Sequence, residues 1–217
     1  MSNISGHKIK FKNFDKNFLN VINRQDVCDV INLLFNGSDS NFLIIGHDNK
    51  PGRRGSCKLT LWGYIITIDL ETIRDHIKRG IVLGGNKIHK NVKTAVLSVL
   101  AHEIQHANQF CKHGKNSKMW TGGRSYLGRP AEIEARNFAD KNTDIIENML
   151  DMKSVTIKKK QQKEDIASEI ASIFAEQSGS IKFSDIRAEL KLANANNPVD
   201  VEKIMHILTE VGKKIIK

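Results

Sequence analysis

Residues 91–111 read NVKTAVLSVLAHEIQHANQFC. Val96, Leu97, Leu100, Ile104 and Ala107 recur at the three- and four-residue steps of one helix face, so the spacing predicts a long helix with a buried apolar stripe. His102 and His106 are four residues apart on it. That sets their imidazoles one turn apart on a common face, the separation needed to grip one tetrahedral zinc ion. Glu103 follows the first histidine. A bound metal ion lowers the pKa of water toward neutrality, and a carboxylate placed there can take the proton as that water attacks a carbonyl. The segment therefore offers two ligands and a general base, Glu103.

Upstream, residues 58–70 are dominated by β-branched and aromatic side chains with Gly63 near the middle, which predicts a bent strand or hairpin. A helix follows over 71–79, broken at Gly80. Val27, Val30, Ile31 and Leu34 predict an amphipathic helix over 26–35, stopped by Asn36-Gly37, and 41–46 form a short apolar strand. The chain before residue 26 reads as basic and turn-rich, and 48–55 as an exposed basic loop. Downstream, Met119, Trp120, Tyr126 and Leu127 interrupt a Gly-, Lys- and Ser-rich stretch over 112–129, which predicts an ordered loop over the site. Pro130 then opens a second long helix over 131–149, with Ala135, Phe138, Ala139, Ile145 and Ile146 inward.

From residue 153 the composition turns to lysine and glutamine, with Lys158, Lys159 and Lys160 consecutive, and like charges favour an extended, solvated segment. The expected organisation is a main domain over 1–152, a basic linker over 153–164 and a small three-helix domain over 165–217. Its helices are marked by Ile166, Ile170, Ile173 and Phe174, by Ser184 with Ile186 and Leu190, and by Pro198 with Val201, Ile204, Leu208 and Ile215.

With 40% hydrophobic and 27% charged residues over 217, the composition is that of an ordinary globular chain and excludes a fibrous repeat. Three widely spaced cysteines argue against a disulfide framework and fit a reducing, cytoplasmic setting. No run approaches the roughly 20 apolar residues of a membrane span. The net charge of +10 would attract nucleic acid at a distance. The basic runs 50–54 and 158–160 lack interleaved aromatics, however, and read as solvated charge.

Catalytic zinc needs a third protein ligand beside an open position for water, and Glu132 and Glu134 are the candidates. His102-Glu103-Ile104-Gln105-His106 followed by Glu132-Ile133-Glu134-Ala135-Arg136-Asn137-Phe138-Ala139 resembles the gluzincin class of metallopeptidases, in which a downstream helix supplies a glutamate ligand. The second segment is similar to the Glu-x-Glu-Ala-x-x-Phe-Ala pattern of small repressor-cleaving peptidases and, apart from Arg136 in place of the aspartate, to the Glu-x-x-Ala-Asp pattern of integral-membrane zinc peptidases.

The resemblance covers roughly residues 58–145. It implies an α+β, zincin-like core, in which a small mixed sheet packs on an active-site helix and a glutamate helix, with a small C-terminal helical bundle appended. It also implies hydrolysis of protein or peptide substrates with one Zn2+ per chain.

On a helix Glu132 shares a face with Ala135 and Ala139, small residues that let two helices approach, so Glu132 is the expected third ligand and Glu134 the alternative. Tyr126 is a candidate to stabilise an oxyanion from the loop, Asp140 to hydrogen-bond a liganding histidine, and His113 a remoter candidate ligand. Two other functions remain open. One is a metallopeptidase brought to nucleic acid by its basic surface; the other is a catalytically silent structural or virion-type protein whose zinc joins two helices.

Overall fold

Along β2 (His7–Lys12) buried His7 and Ile9 alternate with exposed Lys8, Lys10 and Lys12, the two-residue period of a strand with one face on a core. The opening segment is thus not merely turn-rich: β1 (Asn3–Ile4), β2 and a short helix α1 (Lys16–Leu19) occupy it. The computed structural model describes residues 3–4, 7–47, 52–121 and 125–176. After α1 come α2 (Arg24–Leu34), β3 (Asn41–Gly46), β4 (Gly55–Thr60), β5 (Gly63–Ile68), α3 (Leu70–Lys78), α4 (Val92–His113) and α5 (Pro130–Glu176), with single 3-10 turns at Lys118–Trp120 and Tyr126–Gly128.

The architecture is α+β. Five strands form one mixed sheet in the order β1-β2-β3-β5-β4, parallel between β2 and β3 and between β3 and β5, antiparallel at both edges. The predicted hairpin over 58–70 is β4 and β5, joined through Leu61 and Trp62, whose side chains stand in solvent. Gly63 adopts φ +126, and an added Cβ would lie 2.1 Å from the Asn41 carbonyl oxygen, so only glycine fits where β5 starts beside β3.

The helices pack on one sheet face. Phe42, Ile44, Tyr64 and Ile66 from the sheet meet Val27 and Ile31 of α2, Ile73 of α3, and Val96, Leu97, Leu100 and Ile104 of α4 in one core. Asn23, Asp69 and Asn91 cap the starts of α2, α3 and α4 by accepting backbone N–H groups, which fixes where each helix enters. Helix α5 lies antiparallel to α4: Thr94 near the start of α4 bonds Glu147, whereas Gln109 near its end reaches Ala131 and Glu134. Ala131, Ala135 and Ala139 are buried along α5, as their small size allows.

Residues 153–164, expected to be an extended linker, are helical backbone continuous with Pro130. Lysine and glutamine are good helix formers, and the exposed side chains of Lys158, Lys159 and Lys160 project into water, where salt screens their repulsion. The chain divides into two compact units between Asp151 and Met152. The expected helices beyond Glu176 lie outside the described residues. Among the described residues no helix is long and apolar enough to cross a membrane.

Candidate metal centre

His102 and His106 sit late on α4, where the apolar stripe has already seated the helix against the sheet, and Glu132 occupies the first turn of α5. The antiparallel packing brings them together. His102 Nε2 and His106 Nε2 are 3.1 Å apart, and the two Glu132 oxygens lie 3.3 Å from the first and 3.4 Å from the second. These ligand atoms all fall within 4.8 Å of one another, so the cluster could hold a metal ion. His106 and Glu132 are buried; His102 is partly exposed, toward a cleft of about 800 Å3.

The donor set fits a cation. His102 Nδ1 is 2.7 Å from the Gly84 carbonyl oxygen, which can only accept, so Nδ1 carries the proton and Nε2 presents its lone pair to the cluster. His106 Nδ1 is 2.7 Å from Gln109 Oε1. The amide nitrogen of Gln109 donates to the Ala131 carbonyl at 2.9 Å and to Glu134 at 3.0 Å, which orients its oxygen toward His106. Both imidazoles therefore aim Nε2 at each other and at a carboxylate; with neither Nε2 protonated the lone pairs would repel, and a proton shared with Glu132 or a metal ion relieves this.

The charge balance follows from this. Burial alone would raise the Glu132 pKa, but hydrogen bonds from His102, His106 and Tyr126 outweigh it and hold the carboxyl well below its usual range. Burial opposes the charged form of His106, yet its hydrogen bond to Glu132 and the nearby Glu103 charge raise its pKa overall. Glu103 is buried beside the ligands and lines the cleft, and burial pushes its pKa up against the lowering influence of His102 and His106. A carboxyl raised toward neutrality is suited to accept and return a proton.

Glu134 is not with the ligands. Its carboxylate accepts from Gln105 at 3.1 Å and Gln109 at 3.0 Å, so it orients the amide that orients His106. Tyr126 lies on the cleft wall; burial and its hydrogen bond to Glu132 raise its pKa, and the phenol stays protonated. Among the described residues no hydrogen bond joins Asp140 to His102 or His106. The Asp140 carboxylate holds Asn86 through backbone and side-chain bonds at 2.7–3.0 Å, and so braces the turn whose Gly84 carbonyl holds His102. His113 is exposed at the end of α4, away from the cluster. The loop after α4 packs back on the site: Trp120 stacks on Phe110 at 4.4 Å and its ring lies 5.8 Å from that of His106.

Sequence reasoning missed Gly84, Gln109 and the arginines. Arg53 and Arg54, read as solvated loop charge, line the cleft with Arg136. The order Gly84-Gly85-Asn86 was a usable signal, because an added Cβ at Gly84 would lie 2.4 Å from the Ser98 carbonyl and one at Gly85 would lie 2.0 Å from Asp140 Oδ1. Comparison with models of known families, with curated proteins and with solved structures found no match to this chain.

Proposed function

We propose that the protein is a zinc-dependent peptidase with a zincin-like core, in which His102, His106 and Glu132 hold the ion and Glu103 is the general base. The observation that carries this reading is the convergence of two imidazole nitrogens and a carboxylate within 4.8 Å, beside a second buried carboxylate that lines the cleft. His102, His106 and Glu132 would supply three protein ligands beside the cleft, the number that catalytic zinc sites use, whereas structural sites use four. A bound zinc ion would acidify water and polarise the substrate carbonyl.

Glu103 takes the proton from the attacking water and returns it to the leaving amine. Tyr126, protonated on the cleft wall, supplies a donor for the developing oxyanion. β4 is an edge of the sheet, and its first residue, Gly55, lies so close to Glu103 that an added Cβ would fall 2.7 Å from Oε1. An extended peptide adding to that edge would run past the general base, bound by main-chain hydrogen bonds.

A second reading treats the ion as a clamp between α4 and α5, because the ligands come from two antiparallel helices. Glu103→Gln separates the two. The peptidase reading expects zinc content to be unchanged and hydrolysis of an unfolded protein to fall by about 10²-fold or more; undiminished hydrolysis, or none in the wild type, favours the clamp or another chemistry.

A further inference from the structure

Three guanidinium groups, Arg53, Arg54 and Arg136, line the same cleft as two carboxylates, Glu103 and Glu132. If their role were to neutralise those carboxylates, ion pairs would join them. Among the described residues none does. The inner two are anchored by neutral acceptors instead. Arg54 donates to the Val82 carbonyl, and Arg136 donates from Nε to Asn86 Oδ1 at 3.2 Å and from Nη2 to the Leu127 carbonyl at 2.8 Å.

Neutral anchors fix a guanidinium in place without cancelling its charge. Arg136 Nη1 is enclosed with no acceptor among the described residues, which leaves a costly unmet donor. Arg54 lies within electrostatic reach of Glu103, Glu132, Tyr126 and Arg136, so the arginines and the cluster form one charged wall. Three cations against two anions already leave the cleft positive, and a divalent ion on the His102, His106 and Glu132 cluster would make it strongly so.

We infer that Arg54 and Arg136, with Arg53 at the mouth, form a carboxylate-binding subsite beside the metal cluster, which takes an acidic side chain or the C-terminal carboxylate of a bound peptide. The inference rests on the peptidase reading for its peptide ligand, though not for the anion chemistry. The planar fork of arginine matches a carboxylate in two parallel hydrogen bonds, and partial burial strengthens that pairing over its value in water. Specificity comes from the same arrangement, since a peptide with a neutral residue at that position leaves the guanidinium groups unsatisfied.

The test uses the full chain carrying Glu103→Gln and loaded with zinc, so that peptides bind without being cut. Calorimetry compares end-blocked peptides containing Asp or Glu at successive positions, their Asn or Gln counterparts, and a neutral peptide with a free C-terminus. The expected result is binding about tenfold tighter for a carboxylate-bearing peptide than for its amide counterpart. Arg54→Gln or Arg136→Gln should remove that preference while leaving amide-peptide affinity in place, and Arg54→Lys should keep part of it.

Preference confined to the free C-terminus assigns the subsite to a terminal carboxylate, and preference among end-blocked peptides assigns it to an acidic side chain. Should either inner variant fail to fold, Arg53→Gln at the exposed mouth gives a smaller loss of the same preference. Equal affinity for acid and amide peptides overturns the subsite, as does a preference that survives these variants. Zinc measured in the same samples keeps the two readings apart: no zinc with an intact carboxylate preference removes the peptidase reading alone, whereas bound zinc with no preference removes the subsite alone.

Discussion

The Gly84 carbonyl oxygen accepts the His102 Nδ1 proton at 2.7 Å, so the connection between α3 and α4, rather than α4 itself, sets which imidazole nitrogen faces the cluster. Gly84 has φ +70, and a Cβ there would lie 2.4 Å from the backbone of Ser98. Gly84→Ala therefore meets both backbone strain and a clash. It should destabilise the fold by about 1–3 kcal/mol in urea unfolding and weaken metal binding by about 10–100-fold. Wild-type metal affinity in that variant would show that His102 needs no such support.

The ligand set separates the two glutamates. His106→Ala and Glu132→Ala should each lose stoichiometric zinc by elemental analysis, because each removes one of the three proposed ligands. Glu134→Ala should retain zinc with affinity lowered by about 10–100-fold, since it only orients Gln109 and through it His106. The reverse pattern, with zinc lost only in Glu134→Ala, would exchange their roles.

Acidity should act on metal affinity through His106. Its pKa in the metal-free protein is held above the ordinary 6.5, so its contribution to stability is fully present below 6.5 and is lost as pH rises through the raised value. Glu132 runs the other way: its pKa is depressed, so its contribution is present above the ordinary 4.5 and is lost as pH falls through the lowered value. A metal ion must displace the His106 proton and finds Glu132 already ionised. Zinc affinity should therefore climb as pH rises through the His106 transition and level off above it. Titrations at stepped pH check this, and an affinity that does not rise as the pH climbs above the ordinary histidine value of 6.5 would contradict it.

Leu97 is fully buried where α4 crosses the sheet. Leu97→Ala should cost about 2–5 kcal/mol, read as a lowered denaturant midpoint. A loss below about 0.5 kcal/mol would mean that α4 is not seated as described.

His102, Glu103 and His106 are legible in the sequence because their relation is local: helical periodicity alone puts them on one face. Glu132 is legible more weakly, through the alanines that let α5 approach. Gly84, Arg54 and Arg136 are not, because what they touch depends on how separate segments meet in space. β2 was hidden for a different reason. Its alternation is plain in His7-Lys-Ile-Lys-Phe-Lys12, but the lysines on the solvent side read as a basic, turn-rich opening. Through 153–164 the converse holds: the repulsion of adjacent lysines suggests an extended segment, and their intrinsic helix propensity prevails.

The antiparallel pairing of α4 and α5 also bears on the order of assembly. Gly84 and His102 are 18 residues apart and can meet early, whereas Asn86 and Asp140 are separated by 54. Closing the longer loop costs more chain entropy and delays it. A nascent or partly folded chain with α4 seated and α5 still undocked has two histidines in place and no Glu132 beside them. The complete His102, His106 and Glu132 cluster therefore exists only in chains in which α4 and α5 have paired.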